Sequence, residues 1–403
     1  MREPLRATSP RFTARMFAVL ALLTALAPLS IDIYTPALPA MQADLGGPDW
    51  LAQASITGCL VGIALGQLIC GPLSDRLGRR PVILVGVLGW TVACGLSALA
   101  TDPVMLLAVR VLVGLCGAAG IVVARSVIRD VSSDGPTVAA RIGLLSTVTA
   151  IAPVIAPVLG AGIAALGGWR ADFIALAGMG AVLSLVFALT VPETLPPAAR
   201  VSDRRVVRSL LRGLADPELV WVTAGMFAFG VGFYAYVATT SFIVERELGY
   251  PPAVFALVFG TNAVAMFSAN LLFRRIVRRQ HSSFPLAFGL MLCVCGGALG
   301  LVVAELRLAD GALWLASTVF AAGAGLVLPA THSWGQSVLV ASGAASALTG
   351  AAQFLGGALG SPLTGLIGVG ASTLSAVVVG GSVCSLVCWW FASRGRRRRV
   401  AVG

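Results

Sequence analysis

Twelve stretches of about 20 mainly apolar residues recur along this chain, and that repetition constrains its fold more than any other feature. A stretch of that length makes one helical crossing of a bilayer. They lie at approximately 16–38, 51–73, 81–100, 103–124, 142–166, 171–192, 219–244, 252–273, 284–304, 311–330, 343–368 and 371–393. With no water in the bilayer to satisfy backbone groups, apolar spans of this kind must be helices. Of 403 residues, 58% are apolar and only 11% charged, a balance that excludes soluble fold classes. The expected fold is an all-α, multi-pass membrane protein with 12 transmembrane helices.

The net charge of +11 would point to a nucleic-acid partner in a soluble protein, but its placement argues otherwise. All 28 basic residues are arginine. With a cytoplasmic N-terminus, Arg2, Arg6, Arg11, Arg15, Arg76, Arg79, Arg80, Arg129 and Arg141 fall on the cytoplasmic side. So do Arg200, Arg204, Arg205, Arg208, Arg212, Arg274, Arg275, Arg278, Arg279, Arg394, Arg396, Arg397, Arg398 and Arg399. The opposite connections hold Asp44, Asp49, Asp102, Glu245, Glu247, Glu305 and Asp310 with few bases, Arg246 and Arg307 among them. This positive-inside asymmetry predicts both termini in the cytoplasm and the lipid bilayer rather than nucleic acid as partner; the expected location is a bacterial inner membrane. No short apolar segment with a small-residue cleavage site precedes the first span, which reads as retained. The eight cysteines all fall in apolar spans and read as small helix residues, so no metal or other cofactor is expected.

The longest polar interruption divides the chain into a tail at 1–15, a six-helix bundle at 16–192, a cytoplasmic linker at 193–217, a second six-helix bundle at 218–393 and a basic tail at 394–403. Duplicated bundles with a substrate site between them are a transporter architecture. Span five, with Ala152-Pro153 to Gly160, and its counterpart span eleven, with Gly356 to Pro362, both mix glycine and proline. Tight helix packing and a hinge both fit that composition.

Asp32 is the one acid placed well inside an apolar span in this reading. Such a charge costs roughly 2.5–3.5 kcal/mol on insertion scales and is a functional-site hypothesis by default. Carrying a proton is the natural role. At about 1.5 Å of rise per residue, Asp32 lies about 9 Å below the outer boundary and Arg110, in span four, about 10 Å below it. The two opposite charges are thus expected level, as a proton-coupling pair or as a fixed structural pair.

Polar and aromatic residues in otherwise apolar spans are candidates to line a substrate cavity. They are Tyr34, Gln67, Tyr234, Tyr236, Thr239, Thr240, Asn262, Asn270 and Gln353. For each one singly, interhelical hydrogen bonding explains its presence equally well. Tyr234 and Tyr236 are two apart on one helix and point to different faces, so one of them is expected at the cavity. His281 and His332 read as solvated groups in or beside cytoplasmic loops, and two histidines far from acid clusters do not make an enzyme.

Between spans two and three runs Gly71-Pro72-Leu73-Ser74-Asp75-Arg76-Leu77-Gly78-Arg79-Arg80-Pro81. It resembles the GxLaDrxGrr signature of the major facilitator superfamily at every defining position. The resemblance implies that superfamily's fold, two six-helix bundles around a central cavity. It also implies a conformational latch of Gly71, Asp75, Arg76, Gly78, Arg79, Arg80 and Asp130, in which Asp75 faces the N-terminus of span eleven and Arg79 pairs with Asp130.

Asp32-Ile33-Tyr34-Thr35-Pro36-Ala37-Leu38-Pro39 looks like the D-x-Y-x-P-x-x-P element of the bicyclomycin and chloramphenicol resistance (Bcr/CflA) drug:proton antiporters. Gly168 to Phe173, Pro192 to Leu195, Tyr236 to Phe242, Gly249-Tyr250 and Gly343 to Gly350 continue the likeness. There are departures: Val113 stands where span four usually has glutamine, the span-five signature reads Ala156-Pro157-Val158-Leu159-Gly160, and the second-half cassette has become Phe273 to Arg279. The resemblance implies a proton-coupled multidrug efflux antiporter working by alternating access, with Asp32 and Arg110 in proton coupling and Tyr34, Gln67, Tyr236, Thr239, Asn262 and Gln353 at the substrate. Its partners would be a small drug-like molecule such as chloramphenicol or bicyclomycin, and protons, handled by a monomer. The alternative is a proton-coupled exporter or importer of a small metabolite such as an amino acid.

Overall fold

The computed structural model describes residues 13–132, 135–197, 200, 213–277, 282–338 and 343–402. Arg2, Arg6, Arg11, Arg204, Arg205, Arg208, Arg212, Arg278, Arg279 and His281 lie outside them, as do the side chains of Pro153, Arg397, Arg398 and Arg399.

The first half comprises α1 (Ala14–Asp32), a 3-10 turn (Thr35–Ala37), α2 (Leu38–Leu45), α3 (Asp49–Leu77), α4 (Arg79–Ala98), α5 (Pro103–Asp130) and α6 (Gly135–Thr190). The second comprises α7 (Pro217–Phe242), which runs on through a π turn (Ile243–Glu247), then α8 (Pro252–Ile276), α9 (Ser283–Glu305), α10 (Asp310–Val338), α11 (Gly343–Ile367) and α12 (Ala371–Val402). Among the described residues, ten helical runs are long and apolar enough to cross a membrane. α6 is two arms meeting at Gly167 and Gly168, where a φ of 69° at Gly168 is open to glycine at no steric cost. The sequence reading separates spans five and six at this place.

Local chemistry starts the helices. Asp102 accepts hydrogen bonds from Val104 N and Met105 N ahead of Pro103, and Asp216 does the same for Glu218 N and Leu219 N ahead of Pro217. The cap satisfies free N–H groups, and proline at the first position loses nothing there.

Two expectations need correction. The first span is not one unbroken helix: α1 stops at Asp32, because Pro36 and Pro39 lack the N–H that would carry the ladder onward and Pro36 disfavours helical backbone at Thr35. The chain resumes as α2 to Leu45. The latch segment is not a connecting loop either. Gly71 to Leu77 wind into the end of α3, and the reversal is left to Gly78, with φ 107°.

Within the first half α3 packs most extensively on α5, with α4 and α6 alongside. Gly58, Gly62 and Gly66, four apart, give α3 a side-chain-free stripe against which Leu107, Val111, Leu115 and Ala118 of α5 rest. Small residues at this spacing let backbones approach closely in a membrane. In the second half α7 packs on α11 and α12, and α9 on α10 and α12. Gly160 of α6 sits on the Ile33 carbonyl, as Gly356 and Gly360 of α11 sit on Phe227 and Val231 of α7. The glycines of spans five and eleven are therefore close-packing sites on the first helix of their own half.

The halves meet along two seams, α3 with α11 and α6 with α8. Since the sequence pairs span five with span eleven, one seam is the other with the halves exchanged, as a duplicated bundle requires.

Candidate functional site

Asp32 sits at the end of α1, only 6% exposed. Among the described residues no hydrogen bond or ion pair reaches its carboxylate, while its backbone carbonyl accepts from Thr35 Oγ1 at 2.8 Å. The carboxylate lies within electrostatic range of Cys59 of α3 and of the hydroxyls of Tyr234 and Tyr236 of α7, so groups of both halves surround it. Asp172, in the second arm of α6, is a further buried acid whose carboxylate oxygens have no partner, and it sits within the first half.

Arg110 is wholly buried in α5 but does not pair with Asp32. One of its amino groups donates to the Ser30 carbonyl, and the guanidinium lies over Tyr34 at 4.7 Å and Phe173 at 5.5 Å from the ring centres. Apart from its approach to Tyr34, its Nε and Nη1 have no hydrogen-bond partner among the described residues. Counting along the helices puts both charges on one level, and Arg110 does touch Ser30 and Tyr34 on either side of Asp32; depth, however, says nothing of which way each helix face points. Tyr34, also wholly buried, is held by Ser55 Oγ at 3.0 Å. It serves as the platform for Arg110.

The remaining candidates fall into three groups. Tyr236 accepts from Asn262 Nδ2 at 2.8 Å, and Asn262 is tied further to Ser317 and Thr318 of α10. Gln353 of α11 meets Tyr234 and His332, the latter at 3.2 Å from Nε2, while His332 Nδ1 lies 3.2 Å from Thr349 Oγ1. His332 is thus inside α10, not solvated beside a loop. Nearby, Gln67 of α3 rests on Gly350 across the seam between halves. Thr239 belongs to the seam as well, and Thr240 spends its hydroxyl on the Tyr236 carbonyl at 2.6 Å. Asn270 is half-buried in α8.

A run of hydrogen bonds joins the halves in the part of the molecule away from Arg79. Gln53 meets Thr239 at 3.4 Å, Thr364 at 3.4 Å and Gly365 N at 3.0 Å; Thr57 meets Ser361 Oγ at 2.5 Å and the Ala358 carbonyl at 3.0 Å. Arg246 closes the end, reaching Asp49 at 2.7 Å, Gln42 at 2.5 Å and the Pro39 carbonyl at 3.2 Å. Sequence reading missed this seal. Its signal was there, an arginine amid acids on the side that otherwise carries few bases, together with polar residues one turn apart in span two.

At the opposite end the residues expected to form the latch come together. Arg79 Nε meets Asp130 Oδ2 at 2.9 Å, and its Nη1 donates to Ser74 Oγ at 2.7 Å and to Asp75. Asp75 is thus turned to Arg79; residues 339–342, ahead of α11, lie outside the described ones. Arg76 is exposed on α3, Arg80 reaches the Ala188 carbonyl at 2.7 Å, and Gly71 and Gly78 flank the group. Two further members come from beyond the signature. Glu193 accepts from Arg79 N and Arg80 N at 2.9 and 3.1 Å, capping α4 with a carboxylate, and Thr194 Oγ1 meets Asp130 at 3.2 Å.

Comparison with known proteins agrees with this geometry. The sequence profile described as Major Facilitator Superfamily matches residues 20–361. A Bacillus subtilis (strain 168) protein named uncharacterized MFS-type transporter YdgK is 32% identical over 86% of this chain and 88% of its own. The chloramphenicol resistance protein of Pseudomonas aeruginosa is 32% identical over 75% and 71%. A solved D-xylose–proton symporter shares the fold with a TM-score of 0.76 at 15% identity, covering 94% of this chain and 97% of that one. The chain is a multi-pass membrane transporter of the Major Facilitator Superfamily, and it stands with that superfamily's Bcr/CflA-like drug-resistance group.

Proposed function

We propose that this protein is a proton-coupled efflux antiporter for small drug-like molecules, working by alternating access as a monomer with no cofactor beyond the proton gradient. Its 12 spans form two six-helix bundles, at 16–192 and 218–393, joined by the cytoplasmic linker 193–217. Both termini lie in the cytoplasm and the membrane is the bacterial inner one. The latch end is then cytoplasmic and the Arg246 end external.

The observation that carries the reading is Asp32: a buried carboxylate with no cation bound to it among the described residues, at a break in the first span, within electrostatic range of two tyrosines of the other half. A carboxylate locked to an arginine would be held in its charged form, whereas an unpaired one is free to change its protonation as its surroundings change. Asp32 takes a proton when the centre faces outside and releases it when the centre faces the cytoplasm, where the drug enters between Tyr234, Tyr236 and Gln353. Everted vesicles test this. Asp32→Asn should abolish drug-driven proton release while the protein remains inserted; undiminished release from that variant would sink the assignment.

One observation favours the second reading. Two nitrogens of buried Arg110, without a hydrogen-bond partner among the described residues apart from the approach to Tyr34, offer charge-assisted donors that suit an anionic group, such as the carboxylate of a small metabolite. Counterflow with drugs against amino acids separates the two, and Arg110→Gln should weaken only the anionic substrate.

A further inference from the structure

The second half holds a half-open cavity of about 390 Å³, lined among the described residues by α7 to α10 and α12 of that half alone. It is therefore separate from the space between the bundles. Its volume lies in the range of pockets that take drug-sized ligands.

The walls are apolar, with Val258, Leu313, Trp314, Leu374 and Val378 among them. The floor is Tyr236, whose ring stacks on Phe259 at 5.5 Å and leans on Phe320 at 5.3 Å. Its hydroxyl oxygen accepts from Asn262, which leaves the hydroxyl hydrogen without an acceptor among the described residues. At the rim, beside the Arg246 seal, Tyr250 donates to the Asp310 carboxylate at 3.0 Å.

We infer that this cavity is a second binding site, for a free, uncharged lipophile that carries one hydrogen-bond acceptor. An anionic group would find no cation in the walls and would meet its full desolvation cost there, and Asp310, the one acid in the lining, is already held by Tyr250 at the rim. One acceptor finds the unused Tyr236 hydrogen at the floor. The occupant is a free compound rather than a phospholipid, because a lipid tail in the cavity would bring its phosphate to the Asp310 carboxylate, and like charges repel. Tyr236 lines the cavity and its hydroxyl is within electrostatic range of Asp32, so it belongs to the surroundings of both. A compound bound here is adjacent to the proton site yet outside the space between the halves, on the side sealed by Arg246.

The site is tested by binding, so its failure is distinct from failure of the antiport reading. The full-length protein in lipid nanodiscs is irradiated with an uncharged aliphatic ketone bearing a diazirine, and labelled peptides are sequenced. Label should fall on the cavity faces of α10 and α12, at Trp314 and Leu374. Plugging the site at depth with Ser375→Phe, or at the rim with Val254→Trp, should each reduce that label by about tenfold or more, the equivalent of about 1.4 kcal/mol in binding. Each variant is first required to keep wild-type thermal unfolding and elution, and two plugs at different depths keep the test open if one fails to fold. Label confined to lipid-facing Leu315, label undiminished in a folded plug variant, or label from a diazirine phospholipid in preference to the ketone would each overturn the proposal.

Discussion

Single residues bear the tightest constraints in this protein. Gly160 has the Ile33 carbonyl where a side chain would begin, whereas Gly162, two residues on, has nothing within 4 Å. Gly160→Val should therefore destabilise by about 1–3 kcal/mol, the usual cost of overpacking, while Gly162→Ala should be neutral or slightly stabilising. Thermal unfolding in detergent reads both. Glu193 accepts hydrogen bonds from the backbone N–H groups of Arg79, Arg80, Thr194 and Leu195. Glu193→Gln keeps the shape but loses the charge at the start of α4, and should lower the melting temperature measurably, more so at low salt. Asp32 and the Arg79–Asp130 pair were legible in the sequence, because a charge inside an apolar run, or one in a spaced glycine-arginine signature, stands out from its neighbours. The environment of Arg110 was not legible. Counting residues along two helices gives depth, but the rotation of each helix, which decides what its side chains touch, depends on packing that no single span encodes.

Whole elements were read as helices, and their ends were read less well. The apolar run of span ten closes at Ala330, yet α10 continues through Pro329 to Val338. Neighbouring helices in a membrane re-satisfy the carbonyl that a proline frees, so proline is a weaker stop here than in water. That extension is what carries His332 into the bundle. The first span shows the converse: Pro36 and Pro39, close together, do break the helix. Ala37 could carry a helix if the prolines were absent. Pro36→Ala should therefore lengthen α1 past Asp32 and re-aim its carboxylate, reducing proton-coupled flux while leaving the amount of inserted protein near wild type; flux equal to wild type in vesicles would show that the break is dispensable.

The molecule as a whole is held shut on one side by contacts between its halves. Thr57 and Ser361 face each other at 2.5 Å across the α3–α11 seam. In a background without native cysteines, a Thr57→Cys, Ser361→Cys pair should oxidise readily and arrest transport, with recovery on reduction. Arg246→Ala removes three contacts from the same side at once, and a cysteine placed at Thr364 should then react with a water-soluble thiol reagent several-fold faster than with Arg246 present. A two-bundle plan could be inferred from spans and charges, but the seal could not, since its members are distant in sequence and each is ordinary on its own.

Glu193 also lies just past the end of α6 at Thr190, where the chain departs toward the second half. The described start of that connection is thus moored as a tether would be, Glu193 holding the start of α4 and Thr194 meeting Asp130. Shortening or stiffening that tether should change how readily the latch releases, without altering any residue of the latch itself.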